Sequence, residues 1–163
     1  MTAVLVREVM TPGIVAVLPD APLVEAARLM RAQDVGEVLV AEGGQLIGVL
    51  TDRDIALRAV ADGADPLTVL AQAVCTPRPV VVGPNDDVTD AVRLMRRHAV
   101  RRLPVVQDGR AVGMVSLGDV ALARDPGSAL ADISRAVPDT WPGPAPEPDL
   151  TAMQRTRYEE EEQ

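Results

Sequence analysis

The spacing of apolar residues changes along the chain, and it predicts short strands and helices in a fixed order. Residues 13–18 form an apolar run that ends at Pro19, which is typical of a strand. Across residues 23–31, after Asp20 and Pro22, the apolar positions recur at helical spacing. The sequence therefore predicts a strand followed by a helix.

Two further apolar runs, 37–41 and 46–50, lie on either side of Glu42-Gly43-Gly44-Gln45. A short glycine-containing connection between two such runs is typical of a β-hairpin. A second helix is predicted over 52–61, and it completes a unit with the order strand, helix, strand, strand, helix. We expect a short helical connector at 4–9 before this unit.

The same pattern occurs a second time. A shift of 65 residues aligns two halves of the chain without a gap, and it places Thr11-Pro12 on Thr76-Pro77. Turn glycines and prolines match as well as apolar residues, so we expect the two copies to share a backbone. The elements predicted for the second copy are a connector at 67–74, a strand at 80–83, a helix with apolar positions at 88, 91, 92 and 95, a hairpin across 107–110 and a helix at 118–123.

We therefore predict an α/β (α+β) protein of two pseudo-symmetric repeats whose sheets pack face to face. The first repeat with its connector helix covers 1–65 and the second covers 66–125. Residues 126–140 are expected to form a short helix or loop. Residues 141–163 are rich in proline and acidic residues, and we expect them to be a disordered tail.

Composition limits the class of protein. Of 163 residues 47% are hydrophobic, but there is no Phe and only one Trp and one Tyr, so the predicted core is aliphatic. No apolar run approaches the roughly 18 residues that a membrane span needs, and no basic and apolar leader is visible. We expect a cytoplasmic protein. The single Cys75 cannot form an internal disulfide or a cysteine zinc cluster, and a small core residue is its expected role.

The formal net charge of -8 is spread unevenly. Residues 1–65 carry ten acidic residues and five arginines, whereas 66–130 carry six and eight. Binding to nucleic acid or to an anionic membrane needs clustered positive charge, so this balance predicts neither partner.

Each copy carries the pattern Gly-x-x-Thr/Ser-x-x-Asp where the hairpin ends, at 48–54 and at 113–119. The hydroxyl stands at a strand-to-helix junction, where helix N–H groups favour a phosphate. The carboxylate follows one helical turn later and could accept both hydroxyls of a ribose. The alternative is that the hydroxyl is only a helix N-cap. The residues concerned are Thr51 and Asp54 in the first copy and Ser116 and Asp119 in the second.

These junctions, with V-M-T-P at 9–12, V-C-T-P at 74–77 and V-R-R-L-P-V-V at 100–106, resemble a tandem pair of CBS (cystathionine beta-synthase) domains, the Bateman module. The resemblance covers about residues 5–125. It implies clefts that bind adenosyl ligands such as AMP, ATP or S-adenosylmethionine, a regulatory role, and dimers. The two-repeat format, with L-T-D-R-D-I at 50–55, looks like small stand-alone actinobacterial proteins of the hypoxic response type.

The resemblance also implies roles for individual residues. Asp54 and Asp119 match the acid that binds ribose, and Thr51 and Ser116 match the hydroxyl on the phosphate side. The remaining matches, to the strand that lines the base, are the segment from Thr11 to Val15 and the segment from Thr76 to Val80.

The copies differ where the first has Glu37 and the second has Arg102, and the first also lacks the proline found at Pro104. A carboxylate disfavours a neighbouring phosphate, whereas an arginine can bind it in bidentate fashion. We therefore predict that the cleft of the second copy binds the ligand. Arg101 and Arg102 could equally be a solvated or interface pair.

No catalytic residue, metal site or required cofactor is predicted, and His98 is interpreted as a surface residue at a helix end. The leading hypothesis is a non-enzymatic sensor that binds an adenosyl compound and acts as a homodimer or through an unidentified protein partner. The alternative is a structural or interaction protein without a ligand, acting through dimerisation and a partner.

Overall fold

The computed structural model describes residues 2–137 and 143, and it confirms the predicted order of elements in the first copy and, apart from the strand at 80–83, in the second. The first copy comprises α1 (Val6–Val9), β1 (Thr11–Pro12), β2 (Ala16–Val17), α2 (Leu23–Gln33), β3 (Glu37–Glu42), β4 (Gln45–Thr51) and α3 (Asp52–Ile55), which continues as a π-helical segment, Ala56–Val60. The second comprises α4 (Ala71–Val74), β5 (Thr76–Pro77), α5 (Val88–His98), β6 (Arg102–Gln107), β7 (Arg110–Ser116) and α6 (Leu117–Arg124). Helix α7 (Ala129–Arg135) follows. The tail predicted at 141–163 lies outside the described residues, apart from Gly143.

Both predicted hairpins are present, and their turns follow from the residues at the tips. The turn between β3 and β4 has positive φ at Gly43 and Gly44, and the turn between β6 and β7 has positive φ at Asp108 and Gly109. Glycine and Asp-Gly tolerate this left-handed backbone, which suits two-residue hairpin turns.

The predicted strand at 13–18 is shorter in the structure, and the reason is topological. β1 pairs with β7 of the second copy, whereas β2 pairs in parallel with β3 of its own copy. The chain therefore separates from β7 after β1, and only Ala16–Val17 pairs with β3. In the second copy the predicted strand at 80–83 is reduced to a single bridge between Val82 and Val105.

The two copies are joined by exchanged strands. β1 lies antiparallel to β7 and β5 lies antiparallel to β4, so each copy adds a short strand to the hairpin of the other. The hairpin tips meet at one pairing, Gln45 with Arg110. All seven strands therefore belong to one curled, hydrogen-bonded sheet with helices packed against it.

The exchanged strands approach the hairpins closely, and a glycine makes room at each crossing. A Cβ on Gly113 would lie 2.5 Å from the Thr11 carbonyl oxygen. A Cβ on Gly48, the equivalent residue, would lie 2.7 Å from both the Cys75 Sγ and the Thr76 carbonyl oxygen. A side chain at either position would therefore separate the paired backbones.

The predicted connectors are present, and each packs against the copy to which it does not belong. Val6 of α1 lies in the core of the second copy, and its backbone N–H donates to the Asp86 carbonyl at 2.9 Å. Ala71 of α4 lies in the core of the first copy and donates to the Ala21 carbonyl at 2.7 Å. Neither copy therefore completes its core alone.

The core is aliphatic, as the composition predicts. Its largest fully buried residues include Leu23, Leu39, Leu50 and Leu103, and no polar or charged residue among those described is buried. Cys75 belongs to the first core, where burial raises the pKa of its thiol. It therefore behaves as the small core residue that the sequence indicates.

Candidate functional site

The exchange of strands creates two clefts, and each takes residues from both copies. Thr11 pairs with Met114, so the segment after β1 lies beside the junction between β7 and α6. In the same way Thr76 pairs with Val49, so the segment after β5 lies beside the junction between β4 and α3. The sequence predicted these four segments but not which strand faces which junction.

The first cleft, which we call the Asp119 cleft, has a volume of about 350 Å³. It combines the 11–15 segment with the Ser116 to Asp119 junction, and its walls are mostly apolar. Its lining residues are Thr11, Pro12, Gly13, Ile14, Val15, Val35, Glu37, Val38, Leu39, Arg102, Met114, Ser116 and Asp119.

The second cleft, the Asp54 cleft, has a volume of about 740 Å³ and is much more strongly charged. Its charged lining residues are Glu37, Asp52, Arg53, Asp54, Arg78, Arg101 and Arg102, and the rest are Gly36, Val49, Thr51, Thr76, Pro79, Val80, His98, Ala99, Val100 and Pro104. Four arginines thus stand against three carboxylates, whereas the Asp119 cleft has one arginine and two carboxylates.

Both junctions are helix caps, so the capping alternative considered for the sequence describes their local structure correctly. The Ser116 Oγ accepts from the Asp119 N–H at 3.0 Å, and the Asp119 Oδ2 accepts from the Ser116 N–H at 2.8 Å. Thr51 and Asp54 exchange the same two bonds at 3.0 Å each. Each cap fixes the position of its hydroxyl and carboxylate and uses one carboxylate oxygen.

Asp54 and Asp119 differ in the contacts of their second carboxylate oxygen, Oδ1. The Arg58 Nη2 lies 3.5 Å from the Asp54 Oδ1, and the Arg58 Nη1 donates to the Val74 carbonyl at 3.0 Å and to the Thr76 Oγ1 at 3.1 Å. The position equivalent to Arg58 in the second copy is Ala123. Across residues 2–137 and 143, no cation forms an ion pair with Asp119.

Glu37 and Arg102 occupy equivalent positions in β3 and β6, and both side chains line both clefts. The difference between them therefore does not separate the clefts, although the sequence argument relied on it. Burial raises the pKa of Glu37, Arg102 lowers it, and Asp54 and Asp52 raise it further. The net effect is a raised pKa for the Glu37 carboxyl group.

All ten sequence-predicted binding residues line one cleft or the other. Thr11, Val15, Ser116 and Asp119 line the Asp119 cleft, Thr51, Asp54, Thr76, Val80 and Arg101 line the Asp54 cleft, and Arg102 lines both. His98 is exposed at the end of α5, as predicted, and it lies at the edge of the Asp54 cleft.

Sequence reasoning missed two arginines of the Asp54 cleft, Arg53 and Arg78. The signal was present in the repeat, because these positions correspond to Gly118 and Gly13. The glycine at 118 has a structural reason, since a Cβ there would lie 2.5 Å from the Ser134 Oγ of α7. Only the first copy has room for a side chain at this position.

Among the described residues, no three His, Cys, Asp or Glu side chains are grouped so that they could hold a metal ion. The helices in this part of the chain are also too short, or too polar, to cross a membrane.

Comparison with known proteins identifies the class. The CBS domain family model matches residues 6–60 and 71–125, which correspond to the two copies. The chain therefore belongs to the CBS-domain family, as a tandem pair forming a regulatory module.

Individual relatives have the same format. The chain is 43% identical over 133 residues to the CBS domain-containing protein YhcV of Bacillus subtilis (strain 168), covering 79% of this chain and 94% of that protein. It is 34% identical over 116 residues to hypoxic response protein 1 of Mycobacterium tuberculosis (strain CDC 1551 / Oshkosh), covering 71% and 81%.

Solved structures share the fold. The crystal structure of hypoxic response protein I with two coordinated zinc ions superimposes with a TM-score of 0.68 at 34% identity, covering 72% of this chain and 97% of that one. The CBS domain pair of protein MJ0100, in complex with 5'-methylthioadenosine and S-adenosyl-L-methionine, gives a TM-score of 0.67 at 21% identity, covering 75% and 96%.

Proposed function

We propose that this protein is a non-enzymatic sensor that binds an adenosyl compound, such as AMP, ATP or S-adenosylmethionine, in the Asp119 cleft. The observation that carries this proposal is the Asp119 carboxylate. Its Oδ2 accepts the capping bond from the Ser116 N–H, and no ion pair within the described chain engages its Oδ1. A carboxylate fixed in this way can accept hydrogen bonds from the hydroxyls of a ribose.

The rest of the cleft suits the other parts of such a ligand. Ile14 and Val35 are 41% and 38% exposed, and with Met114 they offer an apolar wall for a purine ring. Ser116 and the first N–H groups of α6 lie where a polar or anionic substituent on the ribose would extend. A volume of about 350 Å³ falls within the range of small-molecule sites, roughly 300–1,000 Å³.

The fold accommodates ligands of this class, since the MJ0100 pair is in complex with two adenosyl compounds. Because the Asp119 cleft takes segments from both copies, an occupant contacts both at once. A ligand that prefers one arrangement of the copies shifts the population toward it. We propose that a cytoplasmic partner or a second copy of the chain reads this shift.

The test is a thermal-shift screen of the full chain against AMP, ADP, ATP, S-adenosylmethionine and NAD. A ligand well above its Kd should raise the Tm by several degrees. For S-adenosylmethionine, which carries no phosphate, we expect the shift to disappear in Asp119→Asn and to persist in the matched variant Asp54→Asn. Asparagine retains an oxygen for the capping bond, so loss of the helix cap does not confound the comparison. A shift by S-adenosylmethionine that survives Asp119→Asn overturns the assignment of this cleft.

The alternative function is an interaction protein that acts through dimerisation without a ligand. Exposed apolar residues on the helices favour it, namely Leu57, Val60 and Ile133 at 54%, 64% and 72% exposure. If no adenosyl compound shifts the Tm and the chain sediments as a dimer, this alternative replaces the sensor.

A further inference from the structure

We propose that the Asp54 cleft is a second binding site, specific for a phosphate-bearing anion that it recognises through phosphate groups and not through a ribose. This site does not depend on adenosyl binding in the Asp119 cleft. It rests on the arginines that line the Asp54 cleft and on the contacts that occupy the Asp54 carboxylate.

The lining supplies the groups that bind phosphate. Four arginines line one cleft of about 740 Å³. Guanidinium groups bind phosphate oxygens in bidentate fashion, and several around one cavity favour a ligand with more than one phosphate. The four are Arg53, Arg78, Arg101 and Arg102.

Two of the three carboxylates in this cleft are already engaged by the protein. The Asp54 carboxylate accepts a hydrogen bond from the Thr51 N–H and forms an ion pair with Arg58. The Asp52 Oδ1 accepts a hydrogen bond from the Arg53 N–H at 2.7 Å. Glu37, the third, has its pKa raised by burial and by Asp54 and Asp52, with Arg102 opposing. The four arginines are therefore the groups available to bind an anionic ligand.

The Asp119 cleft has the same backbone as the Asp54 cleft but lacks three of its four arginines, so the charge difference between the clefts comes from individual residues. Four of the arginines in or beside the Asp54 cleft have a glycine or an alanine as the equivalent residue of the other copy. The pairs are Arg53 and Gly118, Arg58 and Ala123, Arg78 and Gly13, and Arg101 and Gly36.

Arg78 stands at a backbone position that favours glycine. Its φ is 48°, and the equivalent Gly13 has a φ of 84°. A non-glycine residue in this left-handed region costs free energy that the surrounding structure must offset. The charged side chain is therefore placed in the cleft where a glycine would fit the backbone better.

The Asp54 carboxylate does not offer a ribose the same contact as Asp119. Its Oδ2 accepts from the Thr51 N–H at 3.0 Å, and its Oδ1 lies 3.5 Å from the Arg58 Nη2. Arg58 also donates to the Thr76 hydroxyl at 3.1 Å, so one guanidinium contacts both Asp54 and a lining residue from the exchanged strand β5. Phosphate is consequently the group that this cleft recognises.

Isothermal titration of the full chain with tripolyphosphate at low ionic strength tests the proposal. We expect one site per chain, and at least a tenfold weaker affinity in the double variant Arg78→Gly and Arg101→Ala. Arg78→Gly copies Gly13 and should not strain the backbone. The matched control is Arg28→Ala, on an exposed position of α2 outside both clefts, which should bind as the wild type does.

Three results would overturn the proposal. The first is a lack of tripolyphosphate binding by wild-type protein. The second is an equal loss in Arg28→Ala, which would indicate non-specific attraction to positive charge. The third is ATP binding in Asp119→Asn at least tenfold tighter than tripolyphosphate, because the nucleoside would then contribute. Thermal unfolding of each variant, compared with the wild type, separates a lost site from a lost fold.

Discussion

The Asp119 cleft and the Asp54 cleft are built by the same exchange of strands, and they differ mainly in what surrounds one carboxylate. Both acids cap a helix through the same pair of bonds. Asp54 then faces Arg58, whereas the position that corresponds to Arg58 in the second copy is Ala123. The comparison shows that an internal repeat can keep one scaffold and still give its two sites different chemistry through a few substitutions.

The backbone of the first copy also departs from that of the second at this point. After α3 the chain forms the π-helical segment Ala56–Val60, in which the Ala61 N–H donates to the Ala56 carbonyl at 3.0 Å. In the second copy α6 remains α-helical to Arg124. A π-helical turn is wider and rotates the residues within it. Arg58 lies in this turn, from which it reaches both Asp54 and Thr76.

The largest expected effect comes from exchanging the residues that distinguish the two acids. Ala123→Arg places a guanidinium four residues after Asp119, at the spacing of Arg58 from Asp54. We expect adenosyl binding in the Asp119 cleft to weaken at least tenfold, since the carboxylate would face a cation. Titration calorimetry with the best ligand from the thermal screen measures this, and Ala123→Gln is the control for side-chain size.

The reverse substitution, Arg58→Ala, tests the same difference between Asp54 and Asp119 from the other cleft. Arg58→Ala removes the cation beside Asp54, and we expect the stoichiometry of S-adenosylmethionine, which carries no phosphate, to rise from one toward two per chain. If Ala123→Arg binds as tightly as Ala123→Gln, or if Arg58→Ala leaves the stoichiometry unchanged, the state of the carboxylate does not decide which cleft binds.

A smaller effect is expected from adding a side chain at Gly113, where the exchanged strand β1 crosses β7. The Cβ of Gly113→Ala would lie 2.5 Å from the Thr11 carbonyl oxygen, so β1 must move away from β7. We expect a loss of about 1–3 kcal/mol of unfolding free energy, measured by urea denaturation. Gly127→Ala is the control, because no atom lies within 4 Å of its Cβ position.

The change at Gly113 should also act on one cleft more than the other. It displaces the 11–15 segment of the Asp119 cleft and leaves β5 on β4 unchanged. Adenosyl binding should therefore weaken more than tripolyphosphate binding. Equal losses for both ligands would show that the two clefts do not respond independently.

Much of the fold could be predicted because its signals are local. Hairpin turns, helical spacing and the 65-residue repeat gave the elements and their order. The exchange of β1 and β5 could not be located from spacing, since each of these strands is only two residues long and β1 pairs with a strand about 100 residues further along the chain. This exchange decides which segment faces which junction, so it also decides the composition of each cleft.

The candidate site was predicted in its residues but not in its asymmetry. The caps and carboxylates follow from the junction motif, yet Glu37 and Arg102 line both clefts, which no local pattern in the sequence indicates. Arg58 could have been noticed, since it follows Asp54 by four residues in a predicted helix. Its bond to Thr76 depends on the exchanged strand and on the π-helical turn, and neither has a local signal.

The smallest expected effect concerns Glu37, which the two clefts share. Burial raises its pKa above the ordinary value of 4.5, Arg102 opposes this, and Asp54 and Asp52 add to it. The folded state therefore holds the proton more tightly than the unfolded state. The resulting stability is fully present below pH 4.5 and is lost as the pH rises through the folded-state pKa. We expect Glu37→Gln to gain stability relative to wild type as the pH increases.

Urea denaturation at a series of pH values from 4.5 upward measures that difference, with the exposed Glu42→Gln at the end of the same strand as the control. A difference between wild type and Glu37→Gln that stays constant with pH would contradict the raised pKa. Because Glu37 lines both clefts, its replacement should strengthen anion binding in each of them. An effect confined to one cleft would show that the carboxyl group acts on that cleft alone.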